Sequence, residues 1–171
     1  MMNYGLVSIK HGFMIAKAVS ACLGNGKNNN ADLMSIRTAA AETQFGLFKD
    51  NTPDGAGRGV TQVDADTFYW LKDKALELAP GACMRTKRNW RERIINDFGI
   101  DLKRVEHADL DYNPLLSFIF TRLRYLVVTE EIPTTLEGQA HYWKKHYNSS
   151  LGKGTIEHFI ESVEKLPEIS L

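Results

Sequence analysis

Along most of this chain, apolar residues recur every three or four positions, the spacing that lines one face of an α-helix, and short polar or glycine-rich stretches interrupt them. Leu6, Ile9, Phe13, Ala16 and Val19 predict an amphipathic helix over roughly 5–23. The polar run 24–30, GNGKNNN, tolerates left-handed backbone and ends it in a surface loop. Asp32 is placed to cap a second helix, in which Leu33, Ile36, Ala39 and Ala40 lead to Glu42. Gly46, Pro53, Gly55, Gly57 and Gly59 then rule out further helix, and the string GRGVTQV at 57–63 favours a short hairpin or irregular β strip.

The helical period returns after Asp64, with Phe68, Leu71, Ala75 and Leu78 before the break at Pro80 and Gly81. Trp90, Ile94 and Phe98 form another stripe, terminated at Gly99, and a short helical turn is expected over 101–107. Asn113 followed by Pro114 is a strong helix start, because the asparagine can cap and proline has no N–H to lose in the first turn. The helix it opens, with Leu115, Leu116, Phe118, Ile119, Phe120, Leu123, Leu126 and Val127, is apolar on much of its circumference and is the expected central helix. Pro133 stops it, and Thr134 with Glu137 has capping-box spacing for a helix carrying Leu136, Ala140, Trp143 and Tyr147. After a turn at 151–154, Thr155 can cap a last helix through Ile156, Phe159, Ile160 and Val163, ended by Pro167. The expectation is a mainly α single domain over 1–171, with roughly six to eight helices and one small β element.

Composition narrows the class further. Lysine plus arginine equals aspartate plus glutamate at 21 each, so no overall field favours nucleic acid, and no nucleic-acid partner is expected. Arg85, Lys87, Arg88, Arg91 and Arg93 do cluster around Trp90, where a solvated helix face is favoured over an anionic-polymer contact. No stretch is long and apolar enough to cross a bilayer, and Arg122 and Arg124 interrupt the most hydrophobic helix, so stable membrane insertion is not expected. Small residues Ala21 and Gly24 resemble a signal-cleavage region, but Lys10, His11 and Lys17 interrupt the apolar run and leave a first domain helix as the better reading. Cys22 and Cys83 fit no metal or redox motif, the five histidines show no zinc spacing, and neither a metal nor another cofactor is expected. The GKGT string at 152–155 lacks the upstream glycine and the leading strand of a phosphate loop.

Glu42 is the residue with the clearest chemistry. It stands at the end of a small-residue helix against apolar surroundings, and both a helix C-terminus and an apolar wall disfavour a carboxylate, so it should hold its proton near neutrality. A protonated carboxyl can donate to a glycosidic leaving oxygen, and a second carboxylate often assists. Asp54 and Asp64 follow in the same loop system; each has an equally good structural role, a Pro-Asp-Gly turn for Asp54 and a helix cap for Asp64. Trp143 and Tyr147 divide between core packing and sugar stacking.

The segments Glu42-Thr43-Gln44-Phe45 and Gly59-Val60-Thr61-Gln62-Val63-Asp64, with Thr67, resemble the goose-type lysozyme and soluble lytic transglycosylase superfamily. In that superfamily a Glu-Ser segment is followed by Gly-Leu-Met-Gln and a Val/Ile-Asp/Pro ending; here Thr43 replaces the serine and Val60-Thr61 replaces Leu-Met. The resemblance implies a lysozyme-like fold with the β element beside an active-site cleft, and Glu42 as catalytic acid with Asp54 or Asp64 assisting. It also implies a substrate-binding set of Phe45, Val60, Thr61 and Gln62, joined by Tyr147 and Asn148 if 146–148 corresponds to a late Ala-Tyr-Asn-like segment of the family. The activity implied is cleavage of the β-1,4 bond between N-acetylmuramic acid and N-acetylglucosamine in peptidoglycan, by a muramidase or by a lytic transglycosylase that leaves 1,6-anhydromuramyl ends. A non-catalytic lysozyme-like phage structural or wall-binding module is the remaining alternative. A monomer is expected, made in the cytoplasm and acting on the periplasmic or extracellular wall, as phage endolysins and virion-carried lysins do.

Overall fold

Local capping chemistry fixes most of the helix starts. In the computed structural model, which describes residues 2–49, 57–76, 89–148 and 152–167, Ser8 Oγ accepts from the His11 amide at 3.0 Å and opens α1 (Ile9–Leu23). Residues 5–8 do not join it, because Tyr4 and Gly5 adopt left-handed backbone; Tyr4 and Leu6 still pack into the core from that turn. The start of α2 (Ala31–Thr43) corrects the expectation for Asp32. Asp32 lies inside the first turn, and Asn25 from the preceding loop caps instead, its Oδ1 accepting from the Asp32 amide at 2.9 Å.

A two-stranded antiparallel hairpin follows, β1 (Gly57–Arg58) against β2 (Val63–Asp64), with Gly57 opposite Asp64. It leads into α3 (Ala65–Leu76). Asn89 caps α4 (Trp90–Phe98), and Gly99 ends it with φ 68°. Two short 3-10 turns, Leu102–Arg104 and His107–Asp111, precede α5 (Pro114–Leu126), where Asn113 Oδ1 accepts from the Leu116 amide as the Asn-Pro pair predicts. In α6 (Leu136–Trp143) the cap is Thr135, one residue beyond the expected Thr134, and the helix runs on into a π-helical turn, Lys144–Asn148. Thr155 caps α7 (Ile156–Glu164). The described residues therefore form a mainly α structure of seven α-helices and one small hairpin.

Two apolar clusters hold these elements together. The larger gathers α1, α3, α4 and α5 around Phe45, Phe68, Phe118 and Phe120; the smaller gathers α6 and α7 around Trp143 and Phe159. The helix α2 serves both, turning Ile36, Ala39 and Ala40 to the first and Ala31, Met34 and Ala41 to the second. Contact on two sides leaves little room, which is why its second half is built from alanine and threonine. As expected, α5 is central, with Leu116, Phe118, Ile119, Phe120 and Leu123 fully buried; each such side chain contributes roughly 1.5–3 kcal/mol of transfer free energy. Arg122 is buried with them, and its Nε donates to the Gly24 carbonyl at the C-terminal end of α1 at 2.8 Å. Burial pulls its guanidinium down to about 10, a cost offset in part by the negative end of that helix.

Candidate active site

Glu42 occupies the last turn of α2, and the chain leaves that helix through three successive left-handed residues, Gln44, Phe45 and Gly46. Two of these are not glycine, and such backbone persists only where surrounding contacts over-determine it. Thr43 supplies such contacts: its hydroxyl donates to the Val60 carbonyl at 2.6 Å and accepts from the Gly46 amide at 2.9 Å, tying the helix end to the hairpin loop. From the other side the Tyr147 hydroxyl donates to the Thr61 carbonyl at 2.8 Å. Gln62, also left-handed, turns its amide nitrogen to the Gly59 carbonyl at 2.8 Å and the Tyr4 hydroxyl at 3.1 Å. At Gly59 itself φ is 75°, and an added Cβ would stand 2.1 Å from Ser117 Oγ. Only glycine fits there.

These ties wall an open cleft of about 630 Å³, lined by Glu42, Gln62, Asp64, Tyr147 and Asn148 together with Arg124, Trp143 and His158. The cleft therefore brings together five of the nine residues that the sequence marks as catalytic or substrate-binding. Asp54 lies outside the described residues. Val60 and Thr61 are fully buried, and their backbone carbonyls are taken by Thr43 and Tyr147, so neither offers a free group to the cleft. Phe45 is a correction: it is fully buried and stacked on Phe13 with ring centroids 5.4 Å apart, a core residue that anchors the end of α2.

Burial makes Glu42 unusual. Packed at the seam between the two clusters, its carboxyl is pushed up from the ordinary 4.5 to about 7 by desolvation, against the opposing hydrogen bond from Trp143 Nε1 to its Oε1 at 3.0 Å. Near neutrality it thus holds a proton for a substantial fraction of the time, while Trp143, itself 1% exposed, occupies Oε1 with its N–H. Asp64 behaves as a helix cap, with Oδ1 accepting from the Thr67 amide at 2.8 Å and Oδ2 from the Thr67 hydroxyl at 2.7 Å, yet it also faces the cleft. Among the described residues, Glu42 and Asp64 are the acidic groups lining the cleft, and no cluster of His, Cys, Asp and Glu could hold a metal ion.

Trp143 belongs to the core and to the site at once, since its indole ring is buried and its N–H reaches Glu42. Sequence reasoning missed His158 and Arg124. His158 sits on α7 with Nε2 2.8 Å from the Ala41 carbonyl, one residue before the acid, and nothing in its local sequence signals that placement. The glycine-rich turn after the π-helical segment is explained by packing: a Cβ at Gly154 would lie 2.4 Å from the Trp143 ring. Of the basic cluster, Arg91 pairs with Asp101 through two bonds of 3.0 Å and so supports the fold, whereas Arg85, Lys87 and Arg88 lie outside the described residues. Cys22 is buried and its thiol is pushed up to about 12, chiefly by burial, which leaves it unreactive; Cys83 is outside the described residues.

No family model, no curated protein and no solved structure matches this chain.

Proposed function

We propose that this protein is a muramidase of the bacterial cell wall that cleaves the β-1,4 bond between N-acetylmuramic acid and N-acetylglucosamine, with Glu42 as general acid. One observation carries the reading: a carboxyl pushed up to about 7 by burial, hydrogen-bonded by Trp143, on the wall of an open cleft. Proton donation to a leaving glycosidic oxygen needs a group that is protonated at working pH yet able to let go, and such a pKa supplies both. As the C–O bond breaks, positive charge grows on the sugar ring; Asp64, lining the same cleft, is the described carboxylate available to stabilise it or to orient the attacking water. Gln62, held by Gly59 and Tyr4, offers an amide edge for an acetamido or hydroxyl group, and Asn148 another.

A second course is favoured by the engagement of both Asp64 oxygens with Thr67. If that carboxylate only caps α3, Glu42 would act alone as acid and then as base. The 6-hydroxyl oxygen of the muramyl residue would bond to the anomeric carbon as the glycosidic bond breaks, and its proton would return to Glu42. The product is then an anhydro sugar, lighter by one water than the hydrolysis product. Incubating purified sacculi with wild-type protein and with Glu42→Gln, followed by mass spectrometry of the released muropeptides, tests both courses. Loss of turbidity with wild type only is the expected result, and equal lysis by the variant would remove Glu42 from the mechanism.

A further inference from the structure

Tryptophan is seldom left open to water, because its ring buries more apolar area than almost any other side chain. Trp70 is 41% exposed. It stands on α3 one turn beyond Thr67, and residues three apart on a helix share a face. Thr67 lines the cleft. Arg124, which lines the cleft from α5, lays its guanidinium over the Trp70 ring at 5.7 Å from the centroid, and among the described residues no carboxylate pairs with it. The result is a ledge next to the cleft: a part-exposed indole whose ring carries a planar fork of N–H donors from a residue of the cleft wall.

We propose that Trp70 and Arg124 form an outlying saccharide subsite, where a pyranose ring of the glycan strand packs its C–H face on the indole and offers hydroxyl or acetamido oxygens to the guanidinium. The assignment rests on the glycan-cleaving reading of the cleft. An outlying subsite makes chain length a determinant of binding: an oligosaccharide long enough to run from Glu42 past Arg124 gains the Trp70 contact and a shorter one does not. Packing on the exposed part of an indole ring is the kind of contact whose removal weakens binding about tenfold.

Calorimetric titration of Glu42→Gln, which binds without turnover, with β-1,4-linked N-acetylglucosamine trisaccharide and hexasaccharide provides the test, alongside Glu42→Gln carrying Trp70→Ala or Trp70→Phe. Trp70→Ala is expected to weaken hexasaccharide binding about tenfold and leave the trisaccharide unchanged, with Trp70→Phe retaining most of the affinity. Thermal melts confirm folding, which the exposed position should preserve. Unchanged hexasaccharide affinity in Trp70→Ala, or an equal loss for both lengths, overturns the ledge. Trp70-dependent hexasaccharide binding by a wild-type protein that cleaves no glycan keeps the ledge and removes the muramidase reading. Absence of binding to either length overturns the ledge, and removes the muramidase reading as well where the wild type also leaves sacculi intact.

Discussion

Replacing Glu42 with glutamine should stabilise this protein at alkaline pH and leave its stability unaltered in acid. Below about pH 4.5 both the folded and unfolded chains carry the Glu42 proton, so the residue contributes no pH-dependent term. Between about 4.5 and about 7 the unfolded chain releases that proton while the fold retains it, so stability falls as pH rises. Above about 7 the full penalty is present. At about 1.4 kcal/mol per pKa unit, holding the carboxyl at about 7 against 4.5 costs about 3 kcal/mol. Glutamine has nearly the same shape, can still accept from Trp143 Nε1, and never ionises. For a chain of 171 residues, where 1 kcal/mol moves the midpoint by roughly 2–4 °C, Glu42→Gln should melt roughly 6–12 °C above wild type near pH 8.5 and level with it near pH 4. Scanning calorimetry at the two pH values decides the matter. A gap of the same size at both, or one that opens only in acid, would show that burial does not hold Glu42 protonated, and the proton donor of the proposed reaction would go with it.

Three further outcomes follow from the site. Trp143→Phe removes the bond that favours the Glu42 anion, so the alkaline limb of the lysis–pH profile should move up by roughly one pH unit, and a limb that stays or moves down would contradict the pairing. Asp64→Ser keeps a side-chain cap for the Thr67 amide and should melt close to wild type, while lysis falls on the order of a hundredfold by turbidity if the carboxylate assists hydrolysis; full lysis would assign Asp64 to capping alone. Gly59→Ala forces a Cβ to 2.1 Å from Ser117 Oγ at a left-handed position and should cost at least about 3 kcal/mol in urea unfolding, and a loss under about 1 kcal/mol would mean that the hairpin loop yields easily.

The parts of this fold written in short-range patterns were legible. Asn113-Pro114, Gly99 and Thr155 mark helix boundaries through contacts within about four residues, and those boundaries stand where the sequence puts them. Asp64 reads correctly as the cap before α3 for the same reason. What escaped is long-range. The bond between Trp143 and Glu42 joins residues 101 positions apart, and that between Tyr147 and Thr61 joins residues 86 apart; no local period encodes either. Phe45 shows a subtler limit. It lies three residues past the acid, inside the motif, but the left-handed run 44–46 swings its ring inward onto Phe13, a reversal that propensity alone does not announce at Gln44 and Phe45. Desolvation is the largest cause of the proton's retention on Glu42, with the Trp143 bond opposing it.

The double allegiance of α2 has a consequence for how the protein should respond to a bound molecule. Glu42 and Trp143 border the cleft from the side of the smaller cluster, and Gln62 and Asp64 from the hairpin attached to the larger one. An oligosaccharide lying across the opening would stitch the two halves together, so its effect should travel well past the atoms it touches. Amide exchange in α6 and α7, which lean on the rest mainly through α2 and the π-helical turn, should slow on binding, as the opening of that half comes to require release of the sugar.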